Sequence, residues 1–201
     1  MKRLLSGLVF LFGLVSFAQA AGDAAAGAEK VAVCAGCHGA DGNSAVANFP
    51  KLAGQGEKYL IKQLRDIKSG ARGVVEMTGL LDNLTEQDFE NIAAFYAGKA
   101  TSGAAADPEL VKKGQAIYRA GNMATSVAAC TACHAPTGAG IALAGFPKLA
   151  GQHAAYIEAQ LAKFRSGERT NDGDARIMRD IAAKLTDAEI KAVASYISGL
   201  R

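Results

Sequence analysis

The sequence predicts an all-α protein made of two tandem domains joined by a short linker. Three observations predict it. The second half of the chain repeats the first, motif for motif. Apolar residues recur at intervals of three and four, the period of a helix with one buried face. No stretch alternates apolar and polar residues as a half-buried strand would. The chain has 201 residues, 50% of them hydrophobic, which is too apolar for a disordered chain and long enough for two modest domains.

The first element is an export signal. Lys2 and Arg3 precede an apolar run from Leu4 to Phe17, and Ala18-Gln19-Ala20 has the small-x-small pattern of a cleavage site after Ala20. That run is 14 residues long, short of the roughly 18 needed to span a bilayer. Residues 21–100 then form the first domain, 101–108 an Ala/Gly/Ser-rich linker, and 109–201 the second domain. Each domain opens with a helix, carrying Gly27 and Val31 in the first and Gly114 and Tyr118 in the second, four apart and so on one face. A middle helix follows, with Leu60, Leu64 and Ile67 matched by Ile157, Leu161 and Phe164, and Gly70 and Gly167 as stops. The last helix opens at Thr85 or Thr186 with the pattern of a capping box. Its apolar face is Phe89, Ile92, Ala93 and Tyr96, or Ile190, Val193, Ala194 and Ile197.

The repeat goes beyond helical pattern. Phe49-Pro50-Lys51-Leu52-Ala53-Gly54-Gln55 returns as Phe146-Pro147-Lys148-Leu149-Ala150-Gly151-Gln152, and Tyr59, Gln63 and Arg72 return as Tyr156, Gln160 and Arg169. The period is a whole domain, too long for a solenoid. Only 6% of residues are aromatic and none is Trp, a thin core for two small domains, so a bound apolar body is expected to complete each one.

The chemistry lies in Cys34-Ala35-Gly36-Cys37-His38 and Cys130-Thr131-Ala132-Cys133-His134. C-x-x-C-H is the signature of covalent haem c attachment: two thiols add to the two vinyl groups, and the adjacent His lies under the iron. Three plainer readings compete. The cysteines could form disulfides in an oxidising compartment, act as a thioredoxin-like pair, or bind zinc. All four cysteines fall in the two motifs, each followed by His, and no βαβ pattern surrounds them, which favours two haems.

The second axial position separates a carrier from an enzyme, because an open iron binds substrates and an iron closed by His and Met passes electrons. Met77 and Met178 occupy matching loops and are the expected ligands opposite His38 and His134. Met123 lies in an insertion without a counterpart and reads as filler or surface. His153 is the weaker alternative ligand, matched by Gly56 in the repeat. Pro50 and Pro147 lie twelve and thirteen residues after the two histidines, where their carbonyls could hold the imidazole rings or merely shape turns.

These residues resemble class I cytochromes c, and the tandem arrangement with two Phe-Pro segments is similar to the dihaem cytochrome c4 family. The resemblance implies two cytochrome c-type haem domains facing each other about a pseudo-twofold axis. It implies His–Met ligation by His38, Met77, His134 and Met178, thioethers at Cys34, Cys37, Cys130 and Cys133, and histidine support from Pro50 and Pro147. It further implies a periplasmic electron carrier of bacterial respiration, loosely associated with the membrane, donating to a terminal oxidase. Tyr59 and Tyr156 face the haem propionates or belong to the core. The competing functions are a dihaem enzyme such as a peroxidase, a gas sensor, or a haem subunit of a larger oxidoreductase.

Charge excludes one class and divides the halves. No basic stripe marks a nucleic-acid surface. Residues 21–100 carry net −2 and residues 101–201 net +3. Met77 follows Glu76, whereas Met178 stands between Arg176 and Arg179. Cations disfavour ferric iron, so the second haem is expected to have the higher potential. A unit charge at about 8 Å and a dielectric of about 20 contributes about 2 kcal/mol, a ceiling of about 90 mV.

Overall fold

The computed structural model describes residues 22–201, so the export signal expected over 1–20 lies outside the described residues. Helices α1 (Ala24–Lys30), α2 (Ala32–His38), α3 (Glu57–Lys68) and α4 (Glu86–Ala97) make the first domain, with a 3-10 turn at Val75–Met77. Helices α5 (Pro108–Ala120), α6 (Thr131–His134), α7 (Ala154–Ser166), α8 (Ile177–Ala182) and α9 (Asp187–Ser198) make the second. Among the described residues there is no strand, only isolated bridges between Asn122 and Val127 and between Ile141 and Phe146.

Local chemistry sets the helix ends. The Asp23 carboxylate accepts from the Ala25 and Ala26 amides and caps α1. Thr85 and Thr186 form full capping boxes with Asp88 and Glu189. Backbone and hydroxyl bonds from Thr85, with Lys30 adding its charge, pull the Asp88 carboxyl down to about 2. Helix α7 stops at Gly167, whose φ of 78° is left-handed.

Each domain is built on the crossing of its first and last helices. At the crossing the glycine of the first helix touches backbone: a methyl on Gly27 would stand 2.1 Å from the Asn91 carbonyl oxygen, and one on Gly114 2.2 Å from that of Ala192. The middle helix lies over the last. Val31, Leu60, Ile92, Ala93 and Tyr96 form the first core; Tyr118, Ile157, Leu161, Val193 and Ile197 are central to the second.

The halves differ in two places. Helices α1 and α2 meet at Val31, whereas α5 ends at Gly121 and a loop intervenes before α6. Met77 closes a 3-10 turn, whereas Met178 sits on α8, behind Arg176 at a left-handed φ of 49°. Helix α5 starts at Pro108, which the sequence reading put in the linker. Asp107 caps it and Pro108 occupies the first turn, where a missing N–H is harmless.

Candidate haem sites

Helix α2 carries Cys34 and Cys37 and ends on His38; Cys130 caps α6, which carries Cys133 and ends on His134. All four thiols are free of disulfides. Burial pushes Cys130 up to about 11 and Cys34 in the same direction. Among the described residues no group of three or more His, Cys, Asp or Glu is placed to hold a metal ion, whereas a structural zinc needs four such ligands.

Both imidazoles are buried and anchored the same way. His38 Nδ1 lies 2.8 Å from the Pro50 carbonyl oxygen, and His134 Nδ1 lies 3.0 Å from that of Pro147. A carbonyl only accepts, so each Nδ1 carries the proton and each Nε2 keeps its lone pair. Burial lowers both histidines, with the carbonyl bond opposing it in part, which favours the neutral form a metal requires. Phe49 and Phe146 pack edge-on against the two rings at 6.5 and 6.4 Å.

The methionines separate by environment. Met77 and Met178 are half-buried, and Met178 packs on the second core together with Cys130. Met123 stands in solvent, 91% exposed. His153 is engaged elsewhere: its Nε2 lies 2.8 Å from the Ser44 carbonyl oxygen of the other domain.

The rest of each Phe-Pro segment docks the domains. The Gln152 amide accepts from the Lys51 N–H and donates to the Lys51 carbonyl, both at 2.9 Å. Its counterpart Gln55 does the same to Lys148, at 2.8 and 3.0 Å. The lysine ammonium groups reach the linker, Lys51 to the Ser102 carbonyl at 2.7 Å and Lys148 to the Thr101 hydroxyl at 2.6 Å.

A second polar cluster lies between α3 and α7. Arg72 donates to Gln63, Tyr156 and Gln160, and Arg169 donates to Gln160, Tyr59 and Gln63. The same patch on each domain meets its copy, as a twofold interface requires. Tyr59 and Tyr156 therefore hold arginines of the opposite domain. Burial alone would raise Tyr59, but the charges of Arg169 and Arg72 outweigh it and hold the phenol below its ordinary value. In the sequence Gln63, Arg72 and their copies stand out only as marks of the repeat. Their signal was polarity repeated at matched helix positions, where a free surface has no reason to keep it.

The charges beside Met178 are less one-sided than their order in the chain implies. Arg179 Nε pairs with the buried Asp172 carboxylate at 2.6 Å, and Arg176 pairs with Asp180 at 3.4 Å. Asp172 lies in the longer loop that the second domain has before Met178. This pairing reduces the cationic field that would raise the potential of the second site.

These features fit haem c: paired free thiols, a neutral buried imidazole whose Nε2 has no partner among the described residues, and a half-buried Met at the matching place in each repeat, on a 3-10 turn in one and on α8 in the other. The Tyr96 hydroxyl, buried beside Cys34 without a hydrogen-bond partner among the described residues, marks the same place. Two such units in one helical chain define a c-type cytochrome. The cytochrome c family model matches residues 24–97 and again 111–201. The chain is 58% identical to cytochrome c4 of Pseudomonas aeruginosa, with 100% of both chains covered. It is similar to the crystal structure of reduced recombinant cytochrome c4 from Pseudomonas stutzeri, with a TM-score of 0.89 and 57% identity over 90% of this chain and 100% of that one. It is also 35% identical to the thiosulfate dehydrogenase electron acceptor of Thiomonas intermedia, covering 98% of this chain and 91% of that protein. The chain belongs to the cytochrome c family, among the dihaem cytochromes c4, and carries two covalent haem c groups for electron transfer.

Proposed function

We propose that His38 and Met77 are the axial ligands of one haem iron and His134 and Met178 those of the other. Cys34 and Cys37, and Cys130 and Cys133, are the thioether anchors. The Pro50 and Pro147 carbonyls fix the imidazole rings and raise their basicity. When bound, haem c supplies a one-electron iron couple, and His–Met ligation raises its potential. The protein then needs no catalytic acid or base. Residues 21–100 and 108–201 are the two units and 101–107 the tether, since Pro108 opens α5.

The working role is a periplasmic carrier in a bacterial respiratory chain, exported by a signal cut after Ala20. It takes electrons from an upstream redox protein and donates to a terminal oxidase, with peripheral membrane association. No helix among the described residues is long and apolar enough to cross a membrane. The observation that carries the reading is the duplicated bond from a buried, neutral imidazole to a proline carbonyl. The likeness to a thiosulfate dehydrogenase electron acceptor favours a second reading of the donor, a dehydrogenase that unloads directly onto this chain.

The test is an optical spectrum of the purified protein, oxidised and reduced, with haem counted per chain and carbon monoxide added. Two haems, a ferric Met–iron band and no carbon monoxide binding support the carrier. Met77→Ala and Met178→Ala should each remove half of that band. Rapid carbon monoxide binding by unmodified protein would mean an open iron and return the dihaem enzyme. Reduction rates with a quinol-fed respiratory donor and with thiosulfate plus its dehydrogenase separate the two donors.

A further inference from the structure

The docking glutamines end on the same peptide groups that hold the histidines. The Pro50 carbonyl, which accepts from His38 Nδ1–H, and the Lys51 N–H, which donates to Gln152 Oε1, belong to one planar peptide unit. A continuous chain of hydrogen bonds thus runs from His38 through the Pro50–Lys51 peptide to a side chain of the second domain. The mirror chain runs from His134 through the Pro147–Lys148 peptide to Gln55 of the first, with bonds of 3.0 and 2.8 Å. Gln55, Lys51 and Gln152 are 6–7% exposed, so these bonds lie in a low dielectric, where serial bonds polarise one another.

We infer that Gln152 is a positioning residue for His38, and Gln55 for His134, each acting across the domain boundary on the opposite haem site. A glutamine pulling on the peptide N–H makes the carbonyl oxygen a better acceptor. That strengthens the Nδ1–H bond, fixes the ring and makes the imidazole a stronger donor to ferric iron. Each domain therefore sets the ligand strength of its neighbour. The inference rests on the proposed His38 and His134 ligation.

The experiment uses the full chain with both haems and reads each site separately by NMR and by site-assigned redox titration. Gln152→Ala should speed solvent exchange of the His38 ring proton about tenfold, the scale of one lost hydrogen bond. It should raise the first midpoint potential by no more than a tenfold change in redox equilibrium, about 59 mV. His134 and the second potential should stay put. Gln55→Ala should do the reverse. Gln152→Glu, which keeps the acceptor, should restore slow exchange at His38. Tyr156→Phe loosens the other interface cluster without touching either loop, and should leave both ring protons slow.

If Gln152→Ala moves both sites equally, or neither, or if Tyr156→Phe has the same effect, the inference fails, because docking in general is then responsible. Failure of the ligation reading looks different. The His38 and His134 rings of the unmodified protein would lack the hyperfine shifts of iron-bound imidazoles, while the exchange comparison would still report the coupling.

Discussion

The two domains bury a tyrosine ring at the same helix crossing, but from opposite helices. In the first domain, Val31 at the end of α1 faces Tyr96 of α4. In the second, α5 contributes Tyr118 and α9 contributes Ile197 at the matching positions. The exchange conserves volume, which a close-packed core tolerates best. Both hydroxyls end beside the first cysteine of the haem motif, since Cys34 and Cys130 raise Tyr96 and Tyr118 after burial does. The Tyr118 hydroxyl donates to the Ala135 carbonyl at 2.8 Å, whereas that of Tyr96 has no partner among the described residues. What the duplication preserved is therefore the space beside the first cysteine of each motif, not the residue that fills it.

Removing the ring is the strongest way to break this comparison. Tyr118→Val should cost about 3–5 kcal/mol in urea unfolding of the haem-loaded protein. Adding Ile197→Tyr should recover most of the loss by rebuilding the first domain's arrangement, and no recovery would mean the crossings are not equivalent. Next come the glycines at the two helix crossings. Gly27→Ala and Gly114→Ala should each cost about 1–3 kcal/mol, because both methyls meet a backbone oxygen rather than a movable side chain. Unequal losses would show that one crossing relaxes.

Electrostatics sharpens the contrast further. Asp172→Asn leaves Arg179 unneutralised beside Met178 and should raise the second midpoint potential, within the ceiling of about 90 mV set by one charge. The first potential should not change, and a shift at both sites would defeat the assignment. Among the smaller effects, Tyr118→Phe should cost about 1 kcal/mol for its lost hydrogen bond, and Tyr96→Phe less, as read by thermal unfolding. The smallest difference is in acid. The Asp88 carboxyl is held near 2, below its unfolded value of about 4. Its stabilisation is full above the unfolded value and disappears as pH falls through the folded one. Asp88→Asn should thus destabilise at neutral pH and match the unmodified protein near pH 2. The Glu189 shift has the same sign, set first by the Thr186 backbone bond and then by Asn122, with the Lys113 charge adding least.

The helices and the cysteine–histidine motifs were legible because their signals are local. Helical spacing, Thr caps and C-x-x-C-H each need only neighbours in the chain. The tyrosines were not, because Tyr59 and Tyr156 take their partners from residues 110 and 84 positions away. The Phe-Pro segment was half legible. Its phenylalanine and proline serve the adjacent histidine, whereas Lys51, Gln55 and their copies serve the other domain. The linker end moved by one residue because Pro108 reads equally as a loop breaker and as the first residue of a capped helix.

The lysines that grip the linker have a consequence for assembly. The interface is rich in hydrogen bonds from glutamines, arginines and tyrosines, and the contact area of such a joint does not by itself set its affinity. Here Lys51 and Lys148 fasten residues 101 and 102 into the joint itself. The tether converts an encounter between two proteins into an intramolecular step, at an effective concentration on the order of millimolar. Carrying both domains on one chain thereby makes closure of this hydrogen-bonded joint independent of dilution.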